Sequence, residues 1–126
     1  MNLQLFYDNL LVGDIAAPLL HQGTWFGDFR QVVATQDSTL AQRVCDFIAF
    51  CREWHARLAT QASCEASEFD QFSDLVRSGL WFTRDADGVA ARIEEAPVFT
   101  DGEISWRLKN VESPGAMKTP PRNLNL

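Results

Sequence analysis

Cys51 and His55 stand four residues apart. On a helix that spacing brings a thiol and an imidazole to one side, where both could bind a single metal ion. A structural zinc asks for four ligands. Cys45 falls on a different face of the same predicted helix, and Cys64 and His21 would have to come from other segments. The pair therefore reads as a buried thiol beside a histidine at the edge of an apolar stripe, and no metal ligand is assigned. Cys64 raises a second chemistry, because a cysteine paired with His21 or His55 as base could act as a nucleophile. Its neighbour Glu65 disfavours the thiolate, and no local signature of a cysteine enzyme surrounds it. Paired carboxylates occur at Asp85 and Asp87, Glu94 and Glu95, and Asp101 and Glu103. Acid–base work needs two carboxyls in different environments, usually with one buried, whereas these pairs fall in turns or on opposite sides of a strand. Asp85-Ala86-Asp87-Gly88 opens like a calcium loop, but Ala96 stands where the closing glutamate belongs. There is no phosphate-cradling glycine loop and no nucleophile elbow. No catalytic residue and no cofactor are assigned. A small enzyme using Cys64 with a histidine is the alternative reading.

The aromatic residues suggest contact rather than turnover. Trp25–Phe26 and Trp81–Phe82 are neighbours in segments that read as strands, so the members of each pair point to opposite faces. Trp25 and Phe29 are expected to pack on the helix, which leaves Phe26, Asp28 and Arg30 on the outer face. Ser105, Arg107 and Lys109 join that face if Trp106 packs inward. An exposed aromatic with arginines nearby is a common interface anchor. Phe26, Asp28, Arg30 and Arg107 are therefore the candidate binding residues.

These side chains must be positioned by a small set of elements. From Ser38 to Thr60, Leu40, Val44, Phe47, Ile48, Cys51, Trp54 and Leu58 recur at steps of three and four, the stripe of a long amphipathic helix. Gln42, Asp46, Glu53 and Ala56 fall opposite, Ser38 or Asp37 can cap the first turn, and Glu53 with Arg57 is spaced for an ion pair. Before the helix, Leu3–Tyr7 and Leu10–Ile15 alternate around an Asp8-Asn9 turn, and Pro18 is expected to end that hairpin. Gly13 suggests a bulge or a close backbone approach. Gly23 to Ala34 reads as a third strand, in which Gly27 leaves room for a large aromatic over bare backbone.

After the helix, Ser67 can cap a second, shorter one from Glu68 to about Arg77, stopped by Gly79. Leu80–Thr83, an Asp85–Gly88 turn, Val89–Ile93, an edge at Pro97 and a hairpin turn at Asp101-Gly102 before Ile104–Leu108 complete the pattern. The expected fold is α+β, with an antiparallel sheet of about six strands in the order three strands, two helices, three or four strands. Both helices lie on one face of the sheet. A single domain is expected over 1–112, and 113–126, with Pro114, Gly115, Pro120 and Pro121, reads as a flexible tail.

The chain has 126 residues, 46% of them hydrophobic, enough to bury a core without disulfides or metal. Its three cysteines cannot all pair within one chain, and Met1-Asn2-Leu3-Gln4 lacks the basic and apolar segments of a secretory leader. No apolar run reaches the roughly 18 residues of a membrane span. A cytoplasmic protein with free thiols is expected. The net charge of −6 repels phosphate backbones and anionic lipid, so nucleic acid and membrane are not expected partners.

Gly23-Thr24-Trp25-Phe26-Gly27-Asp28-Phe29, with Ala96-Pro97-Val98-Phe99 and Glu103-Ile104-Ser105-Trp106-Arg107, resembles small bacterial proteins to which no activity is attached. The resemblance spans most of the chain to about Val111. It implies the α+β architecture and nothing about catalysis. The expected function is a non-enzymatic binding domain for a protein partner. An acidic immunity- or inhibitor-type protein facing a basic target is the sharper version, and self-association through the sheet is the milder one.

Overall fold

A computed structural model describes residues 2–109, so the expected tail at 113–126 lies outside the described residues. The fold is α+β, with seven antiparallel strands and two helices among the described residues. In chain order these are β1 (Asn2–Tyr7), β2 (Leu10–His21), β3 (Thr24–Gln31), α1 (Thr39–Ala59), α2 (Ser73–Val76), β4 (Trp81–Arg84), β5 (Ala90–Arg92), β6 (Val98–Phe99) and β7 (Glu103–Trp106). Across the sheet they run β5-β4-β1-β2-β3-β7-β6. Beyond β7, Leu108 bridges to Ile93, and the amides of Glu94 and Lys109 donate to the carbonyls of Arg107 and Arg92 at 2.8 and 2.9 Å. The sheet therefore curls until its two flanks touch.

The long helix forms where its stripe predicts. The Ser38 hydroxyl accepts a hydrogen bond from the Ala41 amide at 2.9 Å and so satisfies one unpaired donor of the first turn. Val44, Phe47, Ile48 and Cys51 are buried. They meet the inner side chains of the sheet, Leu5, Ile15, Trp81, Phe99 and Ile104, in one core. Phe47 is central: its ring lies 5.4 Å from Phe72, 5.9 Å from Trp81 and 6.1 Å from Phe99. The expected burial does not hold to the helix end, because Leu58 is 51% exposed. Arg57 pairs with Glu68 at 2.5 Å rather than with Glu53. That bond, which reaches across to the next segment, holds the Glu68 carboxyl below the usual carboxylate range.

The second helix departs from expectation. Ala66–Phe72 is a 3-10 run, followed by the single turn of α2. Instead of a Ser67 cap, the Glu68 side chain accepts from the Glu65 amide at 3.1 Å. Gly79, at φ +73°, does turn the chain away after α2.

The first hairpin is also corrected. Pro18 does not end the strand, because β2 continues to His21 across a bulge at Ala17-Pro18, where the register with β3 shifts between Ala16 and Leu19. A second bulge shifts the register with β1 at Leu5/Phe6. Gly13 sits beside it, and a Cβ there would lie 2.6 Å from the Phe29 ring, so the bare backbone makes room for that ring in the core. At Gly27 the side chain lying close is Ile15, not an aromatic.

Candidate docking face

The outer surface of β3 is set by simple alternation, and the cross-strand register places its neighbours. Phe29, pointing inward, is buried against Phe99 at 5.1 Å, and Trp25, half-buried, stacks on Trp106 at 6.1 Å. Phe26 and Asp28 then point outward, and both are exposed. Phe26 faces Leu19 of β2 on one side and Ser105 of β7 on the other, and Ser105 in turn faces Val98 of β6. The result is a row across four strands, Leu19, Phe26, Ser105 and Val98, whose apolar members are 65%, 44% and 37% exposed. Large apolar side chains lying together on a sheet face mark a contact surface more strongly than the same residues scattered singly.

The predicted site residues divide around this row. Asp28 stands directly opposite Glu103, one alternation along β3 and β7. Arg107 follows β7 at the other end, with its guanidinium near the β2–β3 turn at Gly23 and 3.6 Å from Glu94. Arg30 is drawn away to pair with Asp14 across β2 and β3. That pair lines a cleft of about 550 Å³ between the ends of β1 to β4, with Gln4, Asp28, Arg84 and Asp85. The fold therefore places Phe26, Asp28 and Arg107 around the row and Arg30 in the cleft, which Asp28 also lines. A hollow of about 340 Å³ opens among Ala17, Leu19, Phe26, Asp28 and Glu103, beside the β2 bulge.

Leu19, Val98 and Glu103 were not among the candidates. The missed signal is Gln22-Gly23: both have positive φ, 52° and 84°, as in a tight hairpin turn, which pairs His21 with Thr24 and extends β2 past Pro18. The second outer aromatic, Phe82, is half-buried. It stacks on Phe6 at 5.1 Å, and the Arg84 and Arg92 guanidiniums lie 5.7 Å from its ring centre. Side chains of the chain itself thus cover that part of the outer face.

The thiols and imidazoles make other contacts. The Cys64 thiol donates to the Trp54 carbonyl at 3.6 Å, His55 Nδ1 lies 2.8 Å from the Cys51 carbonyl oxygen, and His21 is exposed at the end of β2. Burial pushes the Cys51 thiol up to about 12, so it stays protonated at neutral pH. Burial, with Asp46 and Asp37 nearby, also raises the Cys45 thiol, which lies 3.7 Å from the Val33 carbonyl. Among the described residues no three His, Cys, Asp or Glu side chains converge as a metal site, and no helix is long and apolar enough to cross a membrane. No family model matches the chain, and no curated protein or solved structure matches it either.

Proposed function

We propose that this protein works by contact, as a non-enzymatic binding domain that docks a protein partner on the outer face of β2, β3, β7 and β6. The observation that carries the reading is the exposed row of Leu19, Phe26 and Val98 on adjoining strands. Burying such side chains against a partner gains roughly 25 cal/mol per Å² of apolar surface, and an aromatic at the centre of the patch is the usual anchor. Charged groups stand on both sides of the row, an arrangement that fits the polar rim of an interface. The rim carries both signs, Arg107 on one side of the row and Asp28 with Glu103 on the other. The overall charge of −6 would speed encounter with a basic target, but it acts at long range and does not select what fits the face.

The test is photocrosslinking in the producing cell. A photoreactive amino acid replacing Phe26 should give protein adducts that disappear when Leu19 and Val98 are changed to serine. The same probe replacing Gln42, exposed on the far side of α1, should not give them. Identical adducts from both positions would refute the reading.

A further inference from the structure

We propose that the partner on this face is a second copy of the chain, docked sheet to sheet about a two-fold axis running along the Leu19–Phe26–Ser105–Val98 row; this rests on reading the face as a docking surface. The argument starts from β7. Glu103, Ser105 and Arg107 alternate with the buried Ile104 and Trp106, so all three point outward. Residues two apart on a strand are about 6.8 Å apart, so Arg107 and Glu103 lie at nearly equal distances on either side of Ser105.

A two-fold axis lying in the interface along the row sets each residue on it against its own copy. Phe26 meets Phe26, Leu19 meets Leu19, and Val98 meets Val98. A residue displaced along its strand meets the one displaced equally the other way. Arg107 therefore lies over Glu103 of the second copy, and Glu103 lies under its Arg107. Two opposite-charge contacts follow from one alternation, flanking an apolar centre. A C2 interface requires this self-complementarity, which a surface shaped for an unrelated partner has no reason to show.

The charges within one copy point the same way. Asp28 and Glu103 stand directly opposite each other, and like charges in that relation are destabilising. Among the described residues neither has a cation within ion-pair distance. Arg107 is 3.6 Å from Glu94, with both side chains more than half exposed, an exchangeable pair of little strength. In the docked pair, Arg107 of each copy sits beside the other's two carboxylates and relieves the repulsion. The core of the contact spans about 14 Å across the strands and about 14 Å along them. Stable dimers bury about 800 Å² per partner, so this pair forms and parts with concentration.

The experiment is sedimentation of the full chain up to about 1 mM, where weak association is populated. The parent should rise toward twice the monomer mass. Arg107→Glu, and the double variant Asp28→Lys with Glu103→Lys, should each weaken dimerisation about tenfold or more, because each sets like charges against each other at both ends of the contact. Mixed in equal amounts they should recover the parent's behaviour, since in the mixed pair both ends carry opposite charges. Circular dichroism melts of each variant confirm that it is folded.

A dimer that Phe26→Ser and Arg107→Glu leave intact would overturn the proposal, as would variants that each lose the dimer but do not regain it on mixing. A monomeric parent also overturns it. If the Phe26 crosslinks then identify another protein, the docking face stands and only the second copy is lost. If there are no such crosslinks, both readings fall.

Discussion

Phe47→Ala tests whether α1 is the hub of the core. The side chain is 1% exposed and faces three aromatic rings within 6.1 Å, contributed by the 3-10 run before α2, by β4 and by β6. Truncation removes a buried ring and leaves a hole that rigid neighbours such as Trp81, itself fully buried, cannot close. Phe→Ala changes in such sites cost about 3–5 kcal/mol, a large part of the roughly 5–15 kcal/mol that holds a domain folded. For a chain of this length that corresponds to a Tm lower by about 10–20 °C. Urea unfolding followed by tryptophan fluorescence suits the measurement, because the Trp81 ring is 5.9 Å from Phe47 and reports on the same core. The midpoint should fall with the slope unchanged. Leu58→Ala is the matched control. It belongs to the same stripe but is 51% exposed, and it should change stability by no more than about 0.5 kcal/mol. A loss below about 1 kcal/mol for Phe47→Ala, or an equal loss for both variants, would refute the packing described here.

Gly13→Ala should destabilise by about 1–3 kcal/mol in the same assay, because its Cβ would stand 2.6 Å from the Phe29 ring and 2.4 Å from the Arg30 carbonyl oxygen; a neutral result would mean that Phe29 does not lie over that backbone. Native-state titration with a thiol reagent should modify half-buried Cys64 first and Cys51 only on unfolding; rapid labelling of Cys51 would contradict its burial. The Cys51 thiol is raised to about 12 in the fold against about 8.5 in the unfolded chain, so its contribution is complete below pH 8.5 and stability should decline as pH rises above it. In acid the sign is reversed. Hydrogen bonds from Arg57 and Arg43 lower the Glu68 and Asp74 carboxyls, so the stability they add is present above the ordinary carboxylate range and lost as pH falls through their lowered values; Arg57→Gln with Arg43→Gln should shrink that acid-side loss.

What could be read from the sequence was local. The Ser38 cap, the Asp8-Asn9 and Asp101-Gly102 turns, and the loop in which the Asp85 carboxylate accepts the Asp87 and Val89 amides at 2.9 Å all depend on residues within a few positions of one another. The α1 stripe was legible for the same reason, and so was the outward Phe26. Where the stripe stops being covered was not. Leu58 continues the period of three and four, but its burial depends on how far the sheet reaches, which is set by long-range pairing. The closure of the flanks by Ile93 and Leu108 joins residues far apart in sequence, and no local pattern announces it. The segment before Gly79 reads as one helix because Phe69, Phe72, Leu75 and Val76 suit a helical face. Glu68 at its start instead bonds back to Glu65 and across to Arg57, and the chain winds tighter there.

The docking row depends on the feature that sequence reasoning misjudged. Pro18 reads as a strand terminator because it has no amide to give to a ladder. A bulge removes that objection, since the extra residue needs no partner. In the register that Gly13–Ala16 keep with Gln31–Asp28, Pro18 would stand opposite Phe26, and Leu19 would fall on the inner side opposite Trp25. The shift of one residue at Ala17-Pro18, with Ala17 at φ +52°, reverses this, because side chains on a strand alternate with a period of two. Leu19 moves to the outer face beside Phe26, and Leu20 takes the inner side opposite Trp25. Without the bulge, Leu19 would lie on the other side of the sheet from Phe26. The bulge sets the two apolar side chains side by side, opens the hollow next to them and carries β2 on to the Gln22-Gly23 turn, near which Arg107 lies. The contact surface is therefore built by one inserted residue in β2, acting through register on side chains that are otherwise ordinary for a sheet.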